Sequence, residues 1–330
     1  MEKILSVSVA SYNLGDMIQT NVESFCKSNV ADKIELIITD DGSKDNTPEI
    51  IEKLAKQYPN TIKFIKKKNE GPGSTVNSGI KHATGKYFRM VDGDDWVDTQ
   101  NLEELIPFLE KSNADMVVSD YQIFDNEKQC IIETIKFSLP IGKTFSFDEE
   151  YKCIPYQMHG VTFKTKILQD NQIKLDNCFY TDVEYLLYPI PFVNIVEYFA
   201  KPIYVYRVAR AGQSVSAASM KKNLDQHDLV LEHLSSWYVE HKHKLSIGQQ
   251  NYIAKRLSAL ASTQLGTLLL FDPDKINKTK VKNFIKRIKK LDKGIYHGFK
   301  KGKKCKVLIY SNYILYTWVA KRYQKKIKNA

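Results

Sequence analysis

The sequence predicts an α/β fold, a mostly parallel sheet covered by helices on both faces, followed by a C-terminal helical domain. Three observations carry that expectation. Over the first 120 residues, short apolar runs alternate with segments whose apolar residues recur every three to four positions, the pattern of strand-helix-strand units. After about Ser219 only the helical spacing remains. The chain is 330 residues long and 43% hydrophobic, enough to bury a substantial core and to form two domains, expected at 1–219 and 220–330.

Ile4 to Ala10 reads as the first strand, and Met17, Ile18, Val22, Phe25 and Cys26 then recur at helical spacing. A second strand, Ile34 to Thr39, runs into the turn Asp41-Gly42-Ser43. Thr47-Pro48 then opens a helix with proline at its first position, burying Ile50, Ile51 and Leu54. Ile62 to Ile65 is a third strand, Ser74 to Ala83 a helix, Tyr87 to Val91 a fourth strand, Leu102 to Leu109 a helix and Met116 to Val118 another strand. From Tyr121 to Tyr206 the pattern is irregular, and the apolar stretch Tyr185 to Val196 is interrupted by Pro189 and Pro191. Three helices follow, over Leu224 to Tyr238, Tyr252 to Phe271 and Val281 to Leu291.

Five cysteines with no CxxC and no regular spacing suggest neither a disulfide framework nor a zinc site, which fits a reducing cytoplasm. The first residues hold too short an apolar run for a secretory signal, and no segment reaches the roughly 18 apolar residues of a spanning helix. The net charge of +11 is unevenly placed. From Lys275 to Ala330 there are 19 Lys or Arg against one acid, Asp292, which leaves the preceding residues at −7. The polybasic region suits membrane or nucleic-acid phosphates, whereas the acidic remainder repels polyanions unless a cation intervenes.

In a parallel α/β sheet, ligands bind outside the carboxyl ends of the strands. Four unusual loops sit there: Ser11-Tyr12-Asn13, Asp40-Asp41-Gly42-Ser43, Asn69-Glu70-Gly71-Pro72-Gly73 and Asp92-Gly93-Asp94-Asp95. Carboxylates crowded on a tight turn are the oxygen ligands of a hard divalent cation, with Gly93 letting Asp92 and Asp94 face the same side. An isolated acidic turn is more often a solvated one, but this one ends an apolar strand at the binding rim. The glycine-rich stretch Asn69 to Gly79 leads into a helix whose backbone N–H groups suit an anion, and it contains neither a P-loop nor a dinucleotide fingerprint.

VSVASYN, ITDDGSKDNT, NEGPGSTVNSGIKHATGKY and FRMVDGDDW, in this order and at these intervals, resemble the nucleotide-sugar domain of inverting family 2 glycosyltransferases with the GT-A fold, of the type that builds bacterial cell wall, capsular polysaccharide or teichoic acid. The resemblance covers residues 4 to 120 and extends more weakly to about 219. It implies that Ala10, Ser11, Tyr12 and Asn13 frame the nucleotide base and that Asp41 reads the base or its ribose. It also implies that Asn69, Gly71 and Asn77 border the nucleotide and its diphosphate, and that Asp92 and Asp94, with Asp95 nearby, hold Mn2+ or Mg2+ and through it the diphosphate. The family pattern implies Asp182, in NCFYTDVEYLL, as the base that deprotonates the acceptor, with Glu184 beside it. Asp182 also suits the cap of a helix beginning at Val183. His159, in QMHGVTF, falls where such proteins line the acceptor cleft. Arg207, with the Ser214-Val215-Ser216 segment, matches the end of many of these domains and suits a phosphate on product or acceptor. Two positions depart from the family: Ala10-Ser11 stand where proline is common, and Val76 replaces an arginine beside the expected diphosphate.

The resemblance implies a nucleotide-sugar donor, commonly UDP-linked, and a polysaccharide, teichoic acid or lipid-linked saccharide acceptor. The apolar run Val307 to Ala320 lies between basic clusters and is shorter than a bilayer-spanning helix. It suits either an anionic membrane interface, which places the protein peripherally at the inner face of the cell membrane, or packing against preceding helices or another copy of the chain. Two rival functions stay in view. Nucleic-acid binding through the Lys-rich region leaves the four rim motifs unexplained, so no nucleic-acid partner is expected. A nucleotidyltransferase needs a glycine-rich basic loop after the first strand, which Ser11-Tyr12-Asn13-Leu14 lacks.

Overall fold

A computed structural model of the chain describes residues 2–209 and 217–328, which fall into two compact units, Met1–Arg210 and Ala211–Ala330. The division expected after residue 219 lies within the first helix of the second unit.

The first unit opens β1 (Leu5–Ser11), α1 (Met17–Cys26), β2 (Ile34–Asp40), α2 (Thr47–Gln57), β3 (Ile62–Lys66), α3 (Pro72–His82) and β4 (Tyr87–Asp92). It continues through β5 (Trp96–Val97), α4 (Thr99–Lys111), β6 (Met116–Asp125), β7 (Cys130–Ile135), β8 (Phe145–Ser146), α5 (Phe147–Glu150), β9 (Val161–Lys164), α6 (Thr165–Asp170), α7 (Thr181–Leu187) and β10 (Ile195–Val208). β1, β2, β3, β4 and β6 are where the apolar runs put them, whereas β5, β7, β8 and β9 were not individually expected. One sheet joins them in the order β3-β2-β1-β4-β9-β6-β10-β5, with β7 on β6 and β8 on β10.

The parallel character is confined to β3-β2-β1-β4 and to the β6–β10 pair. β9 enters antiparallel between β4 and β6, so the sheet as a whole is mixed. The sequence signal fails there because β9 has only four residues, too few to show a period. β10 runs for 14 residues and tolerates Pro202 because the pairing to β6 shifts register on both sides of it.

β2 is buried along its whole length, and Ile34, Leu36, Ile37 and Ile38 each contribute about 1.5–3 kcal/mol of burial. The register then decides where the chemistry falls: Ser11 pairs with Asp40, Ala10 with Asp92 and Asp40 with Lys66. Four carboxyl ends therefore finish flush on one rim, each followed by one of the four unusual loops.

The second unit is helical: α8 (Ala217–Lys222), α9 (Leu224–His241), α10 (Ile247–Leu268), α11 (Lys275–Leu291), α12 (Lys293–Lys300), α13 (Lys303–Tyr310) and α14 (Tyr316–Lys328). A capping box of Ser246 and Gln249 starts α10, which is buried on most sides by α9, α11 and α12. Asp228 of α9 accepts both guanidinium arms of Arg287 from α11. The run Val307 to Ala320 is not one helix. It breaks at residues 311–315 between α13 and α14, with Leu308, Tyr316, Val319 and Ala320 buried, so part of it packs within the unit. No described helix is long and apolar enough to cross a membrane. All five cysteines are free thiols.

Candidate active site at the rim of the sheet

The loops after β1 and β2 are stapled together. Asn13 takes a left-handed φ of 51°, which Asn tolerates better than most residues. Its N–H donates to Ser43 Oγ at 2.9 Å and its Oδ1 accepts the Lys44 N–H at 2.8 Å. Thr47 does not cap α2 with its side chain. Its hydroxyl instead accepts the N–H groups of Leu14 and Gly15, both at 2.9 Å. Ser11 is buried, Ala10 half-buried, and Tyr12 keeps 46% of its surface exposed at the rim.

The loop after β3 already holds an anion of its own. The buried Asp41 carboxylate accepts the N–H groups of Glu70 at 3.0 Å and Gly71 at 2.9 Å, just ahead of α3, and pairs with Lys67 Nζ at 2.5 Å. In this structure Asp41 thus shapes the loop, and its carboxylate occupies the N–H groups that were expected to suit a ligand anion. Asn77 is likewise occupied, its amide bracketing Leu175 through two 2.8 Å bonds, to the Leu175 carbonyl and from its N–H. Asn69 is exposed. Gly71 has φ 95°, and a Cβ there would stand 2.4 Å from the Asn177 carbonyl oxygen. Gly71→Ala is expected to cost about 1–3 kcal/mol of stability, measured by denaturant unfolding, and to displace the segment that leads to α7.

The acidic turn brings three carboxylates together. One oxygen from each of Asp92, Asp94 and Asp95 lies within 4.8 Å of the others. Asn21 of α1, buried in an otherwise apolar helix face, donates to the carbonyls of Asp92 at 3.1 Å and Asp95 at 2.8 Å. Gly93 has no left-handed φ. It is glycine because a Cβ would stand 2.7 Å from the Ala10 oxygen and 2.3 Å from Leu14 Cδ1. Asp95 is buried, with Oδ2 accepting the Tyr204 hydroxyl at 2.5 Å and Oδ1 the Arg207 N–H at 2.7 Å. Burial, and then the charges of Asp94 and Asp92, push its carboxyl well above the usual range. The donor set fits a hard cation: Asp92 and Asp94, half-exposed, are placed to ligate, and Asp95 anchors the turn from beneath.

Arg207 is a strut of this turn. Its Nε donates to the Asp94 carbonyl at 2.8 Å, its Nη1 to Asn126 Oδ1 at 2.8 Å, and its guanidinium lies 4.7 Å from the Trp96 ring centre. The expected phosphate role is not what these bonds describe, and the Ser214-Val215-Ser216 segment lies outside the described residues. His159 is half-buried against Tyr204 and Tyr206, ring centres 4.5 Å away in both cases. Burial, helped by Arg89, lowers its pKa to about 3, so the imidazole is neutral. Arg89 is wholly buried in β4 and donates to the His159 carbonyl, Thr162 Oγ1 and Ser119 Oγ.

Asp182 stands in the first turn of α7, which begins at Thr181 with Tyr180 as its cap residue in a left-handed φ of 72°. Asp182 is thus not the helix cap, and it is half-exposed. The Tyr206 hydroxyl is pushed up to about 12, first by burial and then by the charges of Asp95, Asp92, Asp94 and Asp182. Glu184 points away from solvent: it is fully buried and accepts the Asp176 N–H at 2.8 Å.

Burial, with the Asp176 and Asp182 charges, raises the Glu184 pKa to about 8. The folded state then binds more protons than the unfolded one between about pH 4.5 and 8, so stability falls as pH rises through that window. Glu184→Gln is expected to flatten this loss, leaving the variant more stable than the parent at pH 9 and about equal at pH 4, as urea unfolding at the two pH values would show.

The rim thus gathers Ser11, Tyr12, Asn13, Asp41, Asn69, Gly71 and the three acids. Arg207 is bonded directly to the acidic turn, and His159 packs on Tyr204 and Tyr206. Sequence reasoning missed Asn21, Lys67, Arg89, Tyr204 and Tyr206. Two left a signal: Asn21 interrupts the apolar stripe of Ile18, Val22 and Phe25, and Tyr204 and Tyr206 alternate on one strand face.

The model of the family described as Glycosyl transferase family 2 matches residues 6–170. EpsH of Bacillus subtilis (strain 168) is 36% identical over 117 residues, which is 36% of this chain and 33% of EpsH. The minor teichoic acid biosynthesis protein GgaB of the same organism is 31% identical over 120 residues, 36% of this chain and 13% of GgaB. The chain therefore matches a third or less of the length of either relative. Among solved structures, residues 1–349 of S. aureus TarS in complex with UDP-GlcNAc superpose with a TM-score of 0.55 at 16% identity, over 94% of this chain and 92% of that one, a likeness of fold.

Proposed function

Since the chain belongs to glycosyl transferase family 2, we propose that it is an inverting glycosyltransferase moving a sugar from a nucleotide-sugar donor, a UDP-sugar, to a hydroxyl of a cell-surface polysaccharide, teichoic acid or lipid-linked saccharide. The observation that carries the reading is the cluster of Asp92, Asp94 and Asp95 at the carboxyl end of β4, one oxygen of each within 4.8 Å of the others, in a chain of this family. UDP-GlcNAc in the TarS complex supports the donor class and GgaB's role supports the acceptor class.

Tyr12 and Asn69, exposed at the rim, meet the nucleotide. Asp92 and Asp94 would hold Mn2+ or Mg2+, which would offset the charge that collects on the departing diphosphate. Asp95 fixes those two acids through Tyr204 and the Arg207 backbone. Asp182 takes the proton of the acceptor hydroxyl as its oxygen bonds to the anomeric carbon, and the bond from that carbon to the diphosphate breaks on the opposite side. Neutral His159, stacked on Tyr206, lines the acceptor side without adding charge. The protein works at the inner face of the cell membrane, where a lipid-linked acceptor is presented, and its basic unit favours an anionic surface. A panel of nucleotide sugars scored for nucleoside diphosphate release tests the reading. Release of nucleoside diphosphate with Mn2+ supports it, whereas pyrophosphate as product, or no turnover of any donor, overturns it.

A further inference from the structure

Between α13 and α14 the chain turns through residues 311–315, with Asn312 and Tyr313 at left-handed φ of 46° and 61°. The turn is closed by backbone bonds from Asn312 N–H to the Ile309 oxygen at 3.0 Å and from Tyr313 N–H to the Leu308 oxygen at 2.8 Å. Lys282 of α11 lies 5.2 Å from the Tyr313 ring centre, bracing it from the side. Non-glycine residues in this region are costly, so the conformation is one the packing enforces. Its consequence is exposure. Tyr310 is 76% exposed, Ile314 79%, Leu315 45% and Trp318 51%.

These apolar side chains continue into a cationic row. Trp318, Lys321, Arg322 and Lys325 are exposed at spacings of three and four on α14, while Tyr316, Val319 and Ala320 on the other side are buried. Arg322 lies 5.1 Å from the Trp318 ring centre. An apolar tip with cations set behind it is the arrangement of a segment that enters the acyl boundary of a bilayer and leaves its charges at the headgroups.

We propose that this turn, with the first two turns of α14, is a wedge that seats the protein on an anionic lipid surface. The proposal deepens the membrane location given above and rests on it for its biological setting alone. Charge selects the occupant. A second copy brings the same basic region, 18 positive charges in excess over residues 275–330, and repels it, whereas anionic headgroups attract it. Nucleic acid answers the cations but has nothing to receive Ile314 and Leu315, which phosphates do not recognise.

The test is co-sedimentation of the full chain with vesicles of phosphatidylcholine alone and with about one third phosphatidylglycerol. Binding is expected only to the anionic vesicles, with a blue shift of tryptophan emission that Trp318→Phe removes while binding persists. Ile314→Ser combined with Trp318→Ser is expected to lower vesicle affinity about tenfold or more. Lys321→Gln with Lys325→Gln should lower it about as much and weaken its salt dependence. Undiminished binding by the Ile314/Trp318 variant overturns the wedge, as does equal binding to neutral vesicles, a dimer in ultracentrifugation that the same variant abolishes, or RNA that competes for the tip and quenches Trp318. Calorimetric UDP binding, measured on the same samples, separates the readings: if UDP binds and vesicles do not, this inference alone fails.

Discussion

Asp182→Asn is expected to bind a UDP-sugar as the parent does and to transfer its sugar about 10²–10⁴-fold more slowly. The amide keeps the shape of the carboxylate but cannot accept the acceptor's proton, so the loss belongs to kcat. Asp182 sits in the first turn of α7, where the strained Tyr180 and the Asn77–Leu175 bracket fix the chain entering the helix. The substitution keeps the side chain's size and removes its charge, and thermal unfolding of the variant separates any effect on folding from the effect on transfer. A single-turnover rate within a few-fold of the parent would assign the base elsewhere on the rim.

Removing the acid pair, Asp92→Ala with Asp94→Ala, has the other large effect, and it falls on binding. Donor affinity in Mn2+ is expected to drop about 100-fold, or about 2.7 kcal/mol, and the difference between manganese and EDTA buffers to vanish. Stability is expected to move the opposite way. Without metal the two carboxylates oppose the Asp95 charge, so their removal should leave the unfolding temperature in EDTA unchanged or higher. A variant that is less stable in EDTA and still binds donor tightly would make the turn a structural feature.

How much of this was legible in the sequence follows from where information is local. The first four strands and the helices between them announced themselves through period and turn chemistry, and the parallel register then brought Ser11, Asp40, Lys66 and Asp92 to one rim. The antiparallel β9 did not, since a four-residue strand has no period and its place beside β4 is fixed by contacts distant in sequence. The same limit governs the site. The clustering of Asp92, Asp94 and Asp95 is a property of one turn and could be read directly. That Asp41 and Asn77 brace the loop depends on Lys67, Gly71 and Leu175 arriving from elsewhere. Arg207 was marked as a charge for phosphate, and only the fold shows it gripping the carbonyl of Asp94. The apolar run near the C-terminus held both of its readings at once, one face packed and the other exposed, which a linear pattern of mixed residues does not divide.

The proposed transfer needs a divalent cation between the Asp92 and Asp94 carboxylates and a nucleotide diphosphate. Crystals grown with UDP and MnCl2, with data collected at the manganese absorption edge, test it most directly. An anomalous peak between the Asp92 and Asp94 side chains, with the diphosphate against it and the uracil beside Tyr12, is the predicted result. UDP bound elsewhere, or bound at the rim with no manganese signal at those two acids, would contradict it.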